Sequence, residues 1–202
     1  MIAVIDYGVG NLFSLRSSLG FIGAESLISS EPEVLRRADK LILPGVGAFG
    51  DAAEKLRRSG LDRVVLEEAG RGKSVLGICL GMQLLFEKSY EYGEHEGLGL
   101  LRGSVVGMEG TLPEGLKIPH IGWNALHRTR PAPLLRYVNE GDCVYFVHSF
   151  HATGCADSLI ATAEYGIALT AALQKENVMG CQFHPEKSGT VGLNILRAFC
   201  EG

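Results

Sequence analysis

"SVLGICLGMQLLFEKS", residues 74–89, sets a short apolar run against a turn with glycines at 77 and 81, a cysteine at its centre and a helix-like apolar pattern after it. A buried strand, a crowded turn and a helix in that order belong to an α/β sheet. The turn is the setting of a nucleophile elbow, which holds a reactive atom at the sheet's edge. The N–H groups and positive end of the following helix favour a thiolate at Cys79. Free cysteines are also among the most buried of residues, so the local pattern leaves Cys79 open between packing and catalysis. Cys143, Cys155, Cys181 and Cys200 lie in no such turn and read as packing.

Outward from this stretch, the first half alternates strand and helix. "IAVID" reads as a strand, "NLFSLRSSLGFIG" as a helix stopped by glycine, "AESLIS" as a strand, "PEVLRRAD" as a helix opened by proline and "KLILP" as a strand, with helices over 51–58 and 61–71. "MQLLFEKS" continues the helix that follows Cys79. The second half offers closely spaced strands at "LLRGSVVGM", "IGWNALHRT", "CVYFVHSF", "LIATAEYG", "ALTAALQ" and "VMGCQFH", then a helix capped by Ser188 whose Val191, Ile195, Ala198 and Phe199 share a face. The expected fold is an α/β open sheet, mostly parallel and twisted, with helices on both faces and antiparallel additions from the C-terminal half. No linker or repeat divides the chain, so residues 1–202 are expected to form one domain.

Composition narrows the function classes. The 202 residues are 46% hydrophobic and 21% charged, and a net charge of -4 argues against a nucleic-acid partner. No signal-peptide pattern and no membrane-length apolar run is present, so the expected location is cytoplasmic with no membrane partner. Five cysteines without a C-x-x-C pair suit neither a disulfide framework nor a zinc site; neither metal nor cofactor is expected.

In an open α/β sheet, chemistry gathers at the carboxyl ends of the strands. "PGVGAFG" follows the strand at 40–43, "CLGMQ" the one at 74–78 and "HPEKS" the one at 178–183. Pro185 biases His184 toward extended backbone, where side chains two apart share a side, so Glu186 can orient the imidazole of a base. Glycines 45 and 47 free main-chain N–H groups to turn toward a developing oxyanion. The Lys-Ser/Thr ending of a phosphate-binding loop is absent.

"GICLGMQ" and "QFHPEKS" together resemble the class I, triad-type glutamine amidotransferases. The resemblance implies Cys79 as nucleophile, His184 as general base and acid, and Glu186 as its orienter. "IDYGVGNLFS", "LPGVGAFGDA", "PHIGWN" and "YFVHSF" are similar to the glutaminase subunits of imidazole glycerol phosphate synthases, across nearly the whole chain. That likeness implies a heterodimer with a cyclase subunit, a (β/α)8 barrel that receives ammonia released from substrate glutamine. By the same likeness the N–H groups of Val46 and Leu80 form the oxyanion hole, Val46 after a peptide rearrangement. Gly47, Gln83, Glu91, Ser149 and Phe150 hold glutamine. Asn11, Pro119, His120, Gly122 and Trp123 fall on interface motifs.

Read without the family, Glu91 in "EYGEHE" is a solvated charge, Asn11 an N-cap and Trp123 as much core as surface. Many members of the family carry tyrosine where this chain has Phe150, so a phenolic hydrogen bond is missing. Two alternatives stand: the same triad serving anthranilate, guanylate or pyridoxal phosphate synthesis, or a binding module that keeps the fold without catalysis.

Overall fold

The computed structural model describes residues 1–202. The chain runs β1 (Ile2–Ile5), α1 (Leu12–Phe21), β2 (Ser26–Ser29), α2 (Pro32–Arg37), β3 (Lys40–Leu43), α3 (Phe49–Arg58) and α4 (Leu61–Gly70). It continues through β4 (Ser74–Ile78), α5 (Leu80–Leu84), β5 (Phe86–Ser89), β6 (His95–Glu96), β7 (Leu101–Gly107) and β8 (His120–Arg128). Last come β9 (Cys143–His148), β10 (Phe150–Thr153), β11 (Leu159–Glu164), β12 (Ala168–Lys175), β13 (Val178–Cys181) and α6 (Gly189–Glu201).

The main sheet has nine strands in the order β2-β1-β3-β4-β13-β12-β11-β8-β9. The first five are mutually parallel, and β12, β11, β8 and β9 extend them antiparallel. This is the expected α/β arrangement with its antiparallel additions. The parallel strands are covered on both sides, which is why they read as unbroken apolar runs. Ala3, Ile5, Leu41 and Leu43 enter one core with α2, α3 and α4. Ile2, Val4 and Ile42, one step out of phase, enter the other with Leu15 of α1 and Ile195 of α6.

Three sequence expectations are corrected. The helix after Cys79 does not run through "MQLLFEKS": α5 is five residues long and Phe86–Ser89 is a strand. Residues 97–101 capture the carbonyls a longer helix would need, Leu98 N–H donating to Leu84 (2.8 Å), Leu101 to Leu85 (2.9 Å), Gly99 to Phe86 (3.0 Å) and Gly97 to Glu87 (2.9 Å). Second, "LLRGSVVGM" does not join the main sheet. As β7 it lies in a separate four-stranded sheet, β10-β7-β5-β6, because alternation marks a strand but not its neighbour. Third, Ser188 does not cap α6 with its side chain; its hydroxyl donates to the His184 carbonyl (2.7 Å) and accepts from Tyr145 N–H (3.0 Å).

The strands β3, β4 and β13 are adjacent, with Leu43 and Gly180 both in register with Gly77. Their carboxyl ends therefore deliver residues 44–50, 79–83 and 182–188 to one place. No helix is long and apolar enough to cross a membrane.

Candidate active site

Cys79 follows β4 directly and stands at the N-terminus of α5 with φ +54° and ψ -113°, a conformation that L-residues rarely adopt. The strain is held by packing. A Cβ on Gly77 would lie 2.6 Å from Met82 Cα, and one on Gly81 would overlap the Leu43 carbonyl oxygen. Only glycine at both positions lets β4 and α5 meet so closely beside β3. The Cys79 N–H donates to the Cys181 carbonyl (2.8 Å), pinning the elbow to β13. The Cys79 side chain stays almost buried, with its residue 8% exposed, and borders a cavity of about 360 Å³.

His184 borders the same cavity. Its backbone is extended (φ -100°, ψ 100°), as the following proline requires, and its N–H donates to the Tyr145 carbonyl (3.0 Å). The ring Nδ1 lies 2.9 Å from Glu186 Oε1, with both side chains buried. Burial alone would lower the His184 pKa. Its hydrogen bonding with Cys79 and Glu186, and their charges, outweigh burial and push it up to about 9. His184 therefore holds its proton near neutrality.

Of the other sequence-predicted groups, Val46, Gly47, Leu80, Gln83, Glu91, Ser149 and Phe150 all border the cavity. Leu80 is the first residue of α5, so its N–H has no helical partner, and the Val46 N–H has none on the main chain. Gly47 holds φ +91°. Glu91 is not a solvated charge: it is 7% exposed, and its Oε2 accepts the Phe49 N–H at the start of α3 (2.7 Å). Burial moves its carboxyl pKa up, partly offset by that N–H. Phe150 contributes its main chain, the carbonyl accepting from Gln83 Nε2 (3.1 Å) and facing His148 Nδ1 (2.8 Å), while its ring meets Tyr92 edge-on.

The interface motifs divide. Trp123 and Ile121 are each 56% exposed on β8, so Trp123 is not core, and exposed Pro119 borders the cavity after a cis peptide bond. Gly122 is half-buried between those two exposed residues. Asn11 sits at the N-cap position of α1 without a side-chain capping bond. His120, on the same motif, is fully buried in the isolated chain. Its ring stacks between Phe146 and Tyr165, with Nδ1 3.0 Å from His148 Nε2 and Nε2 2.8 Å from Asn124 Oδ1.

Sequence reasoning missed Gln182, His148, Tyr92 and Lys187. The last three border the cavity, and Gln182 Nε2 lies 3.7 Å from Cys79 Sγ. Gln182 and Lys187 stand inside the quoted "QFHPEKS", where position after β13 was the available signal.

Residues 3–201 match the model of the glutamine amidotransferase class-I family. The chain is 50% identical to the imidazole glycerol phosphate synthase subunit HisH of Wolinella succinogenes, across all of this chain and 99% of that one. It is 52% identical to the protein of the same name from Bacillus velezensis, across 98% of this chain and 95% of that one. Among solved structures, a glutamine amidotransferase superposes with a TM-score of 0.77 at 19% identity, covering 100% of this chain and 98% of the other. PurLQS from Thermotoga maritima superposes with a TM-score of 0.77 at 21% identity, covering 99% and 97%. At such identities these two structures speak for the fold alone.

Proposed function

The chain belongs to the class-I glutamine amidotransferase family, and from that premise we propose that Cys79, His184 and Glu186 hydrolyse glutamine to glutamate and ammonia. The chain acts as the glutaminase subunit of imidazole glycerol phosphate synthase, in histidine biosynthesis. The observation that carries the catalytic reading is the buried His184, set between Cys79 and Glu186 on the wall of one cavity.

The Cys79 thiolate attacks the side-chain amide carbon of glutamine, and the C–O pair moves onto oxygen as a tetrahedral oxyanion. Leu80 N–H at the start of α5, together with Val46 N–H once it turns inward, stabilises that charge. Collapse of the intermediate breaks the C–N bond as imidazolium His184 protonates the leaving nitrogen, giving ammonia and a glutamyl thioester. His184, now neutral, takes a proton from water, which attacks the thioester; glutamate leaves and the thiolate–imidazolium pair returns. Glu186 holds the ring and stabilises its charge throughout. Glu91, buried with one oxygen on the Phe49 N–H, suits the ammonium group of the substrate.

Residues 1–202 work as one domain, a reading supported by the family match over 3–201 and by two cores that share one sheet. The partner is a cyclase subunit, in a heterodimer that operates in the cytoplasm. Exposed Pro119 at the cavity, with exposed Ile121 and Trp123 further along the same segment, suits a docking surface through which ammonia passes unhydrated. Glutamate release is measured with and without a cyclase and its nucleotide ligand. Release should rise strongly in the complex, and Cys79→Ala should abolish glutamine-dependent synthesis while sparing ammonia-dependent synthesis. Full glutaminase activity alone, with no cyclase binding, contradicts the assignment.

A further inference from the structure

The amide side chains around Cys79 form a chain whose direction is fixed by one main-chain atom. The Phe150 carbonyl can only accept, so the Gln83 atom 3.1 Å from it is the nitrogen. That same nitrogen lies 2.9 Å from an amide atom of Gln182, which must therefore be Oε1. The Gln182 atom 3.7 Å from Cys79 Sγ is then Nε2, with an N–H directed at the sulfur. Orientations of glutamine amides are otherwise ambiguous, and here the backbone removes the ambiguity. Gln182 is fully buried, and its own N–H is engaged with the Ala171 carbonyl (2.9 Å).

We propose that Gln182 is a further catalytic residue, donating an amide N–H to the Cys79 sulfur and so favouring its thiolate over its thiol. The inference deepens the glutaminase reading and rests on it. A thiol can use the donor weakly; a thiolate, with three lone pairs and a full charge, uses it better, because hydrogen bonds to charged groups are the stronger ones. The titratable groups coupled to the sulfur include the His184 imidazole, the Tyr7 hydroxyl just beyond β1 and the Cys181 thiol on β13, and Glu91, His148 and Lys187 line the same cavity. Burial and the Cys79 charge raise the pKa of Tyr7, whose hydroxyl donates to the Pro44 carbonyl (2.8 Å). Burial likewise keeps Cys181 protonated. His184 supplies the charge opposite the sulfur, and Gln182 supplies a neutral donor fixed from another direction.

The test follows the pH profile of Cys79 alkylation by iodoacetamide in the full chain, read on the Cys79 peptide by mass spectrometry, with no glutamine present. Gln182→Leu removes the donor at similar volume, and Gln182→Glu keeps an acceptor for Gln83 but turns oxygen toward sulfur. Both profiles should move to higher pH, Glu further than Leu, with the rate at pH 7 for Leu falling about threefold, since a more basic thiolate is also the better nucleophile. In the wild-type chain the Gln182 side-chain amide signals should titrate in step with alkylation. Folded variants whose profiles match wild type, or amide signals indifferent to pH where the variants do not fold, overturn the proposal. Because no glutamine is used, a wild-type complex with a cyclase and its nucleotide ligand that releases no glutamate from glutamine would refute the functional reading separately.

Discussion

Gly81 carries the elbow. A methyl group there would occupy the place of the Leu43 carbonyl oxygen, so Gly81→Ala must displace β3 or straighten the turn at Cys79. Overpacking of this kind typically costs about 1–3 kcal/mol. The variant should unfold at a lower temperature and lose most glutaminase activity, measured by calorimetry and glutamate release; wild-type behaviour in both would mean that the turn has slack. Cys79, Gly77 and Gly81 were legible in the sequence because a strained turn advertises itself through its small residues. Gln182 was not, since nothing in a linear order says that an amide 103 positions away aims at a sulfur. The burial of His120 was not legible for the related reason that a motif marks neighbourhood, whereas burial among Phe146, Tyr165 and His148 is set by the sheet.

At the scale of elements, the termini of α3 and α5 do different work. The start of α5 offers the Leu80 N–H toward the cavity, while the start of α3 is already occupied by Glu91 through Phe49 N–H. Glu91→Gln keeps an acceptor for that N–H but removes the charge suited to an ammonium group. It should raise KM for glutamine by about tenfold or more, the scale of one charge-assisted contact, with a smaller change in kcat. An unchanged KM would remove Glu91 from the substrate site. The alternation of strand and helix through the first half was readable from apolar runs and from glycine and proline punctuation. The second sheet was not, because β5 is made by the capture of helical carbonyls by residues 97–101, a long-range event with no local pattern. Glu91, in a stretch whose composition reads as solvated, is likewise held by a distant partner, the Phe49 N–H.

Across the whole molecule, the histidines shape stability against pH in opposite directions. His184 is pushed up to about 9 from an ordinary 6.5, so the stability it contributes is complete below 6.5 and disappears as pH rises through 9. Burial pushes His148 down to about 3 and lowers His120 and His151, so their unfolded forms bind protons that the folded chain refuses. Stability therefore falls as pH drops below 6.5. Glu91 works against that acid limb, one carboxyl against three imidazoles. The urea midpoint should peak near neutrality, and His148→Gln should flatten the acid side; a midpoint constant from pH 5 to 9 would contradict the protonation states assigned here.

The same protonation states underlie the chemistry, whose central claim is a covalent bond between glutamine carbon and Cys79 sulfur. The direct measurement is to quench glutamine turnover by the cyclase complex in acid and locate the glutamyl adduct by mass spectrometry. The adduct should be found on the Cys79 peptide and on none carrying Cys143, Cys155, Cys181 or Cys200, and both adduct and glutamate should vanish in Cys79→Ala. Glutamate formed at an undiminished rate by Cys79→Ala, or an adduct on another cysteine, would contradict it.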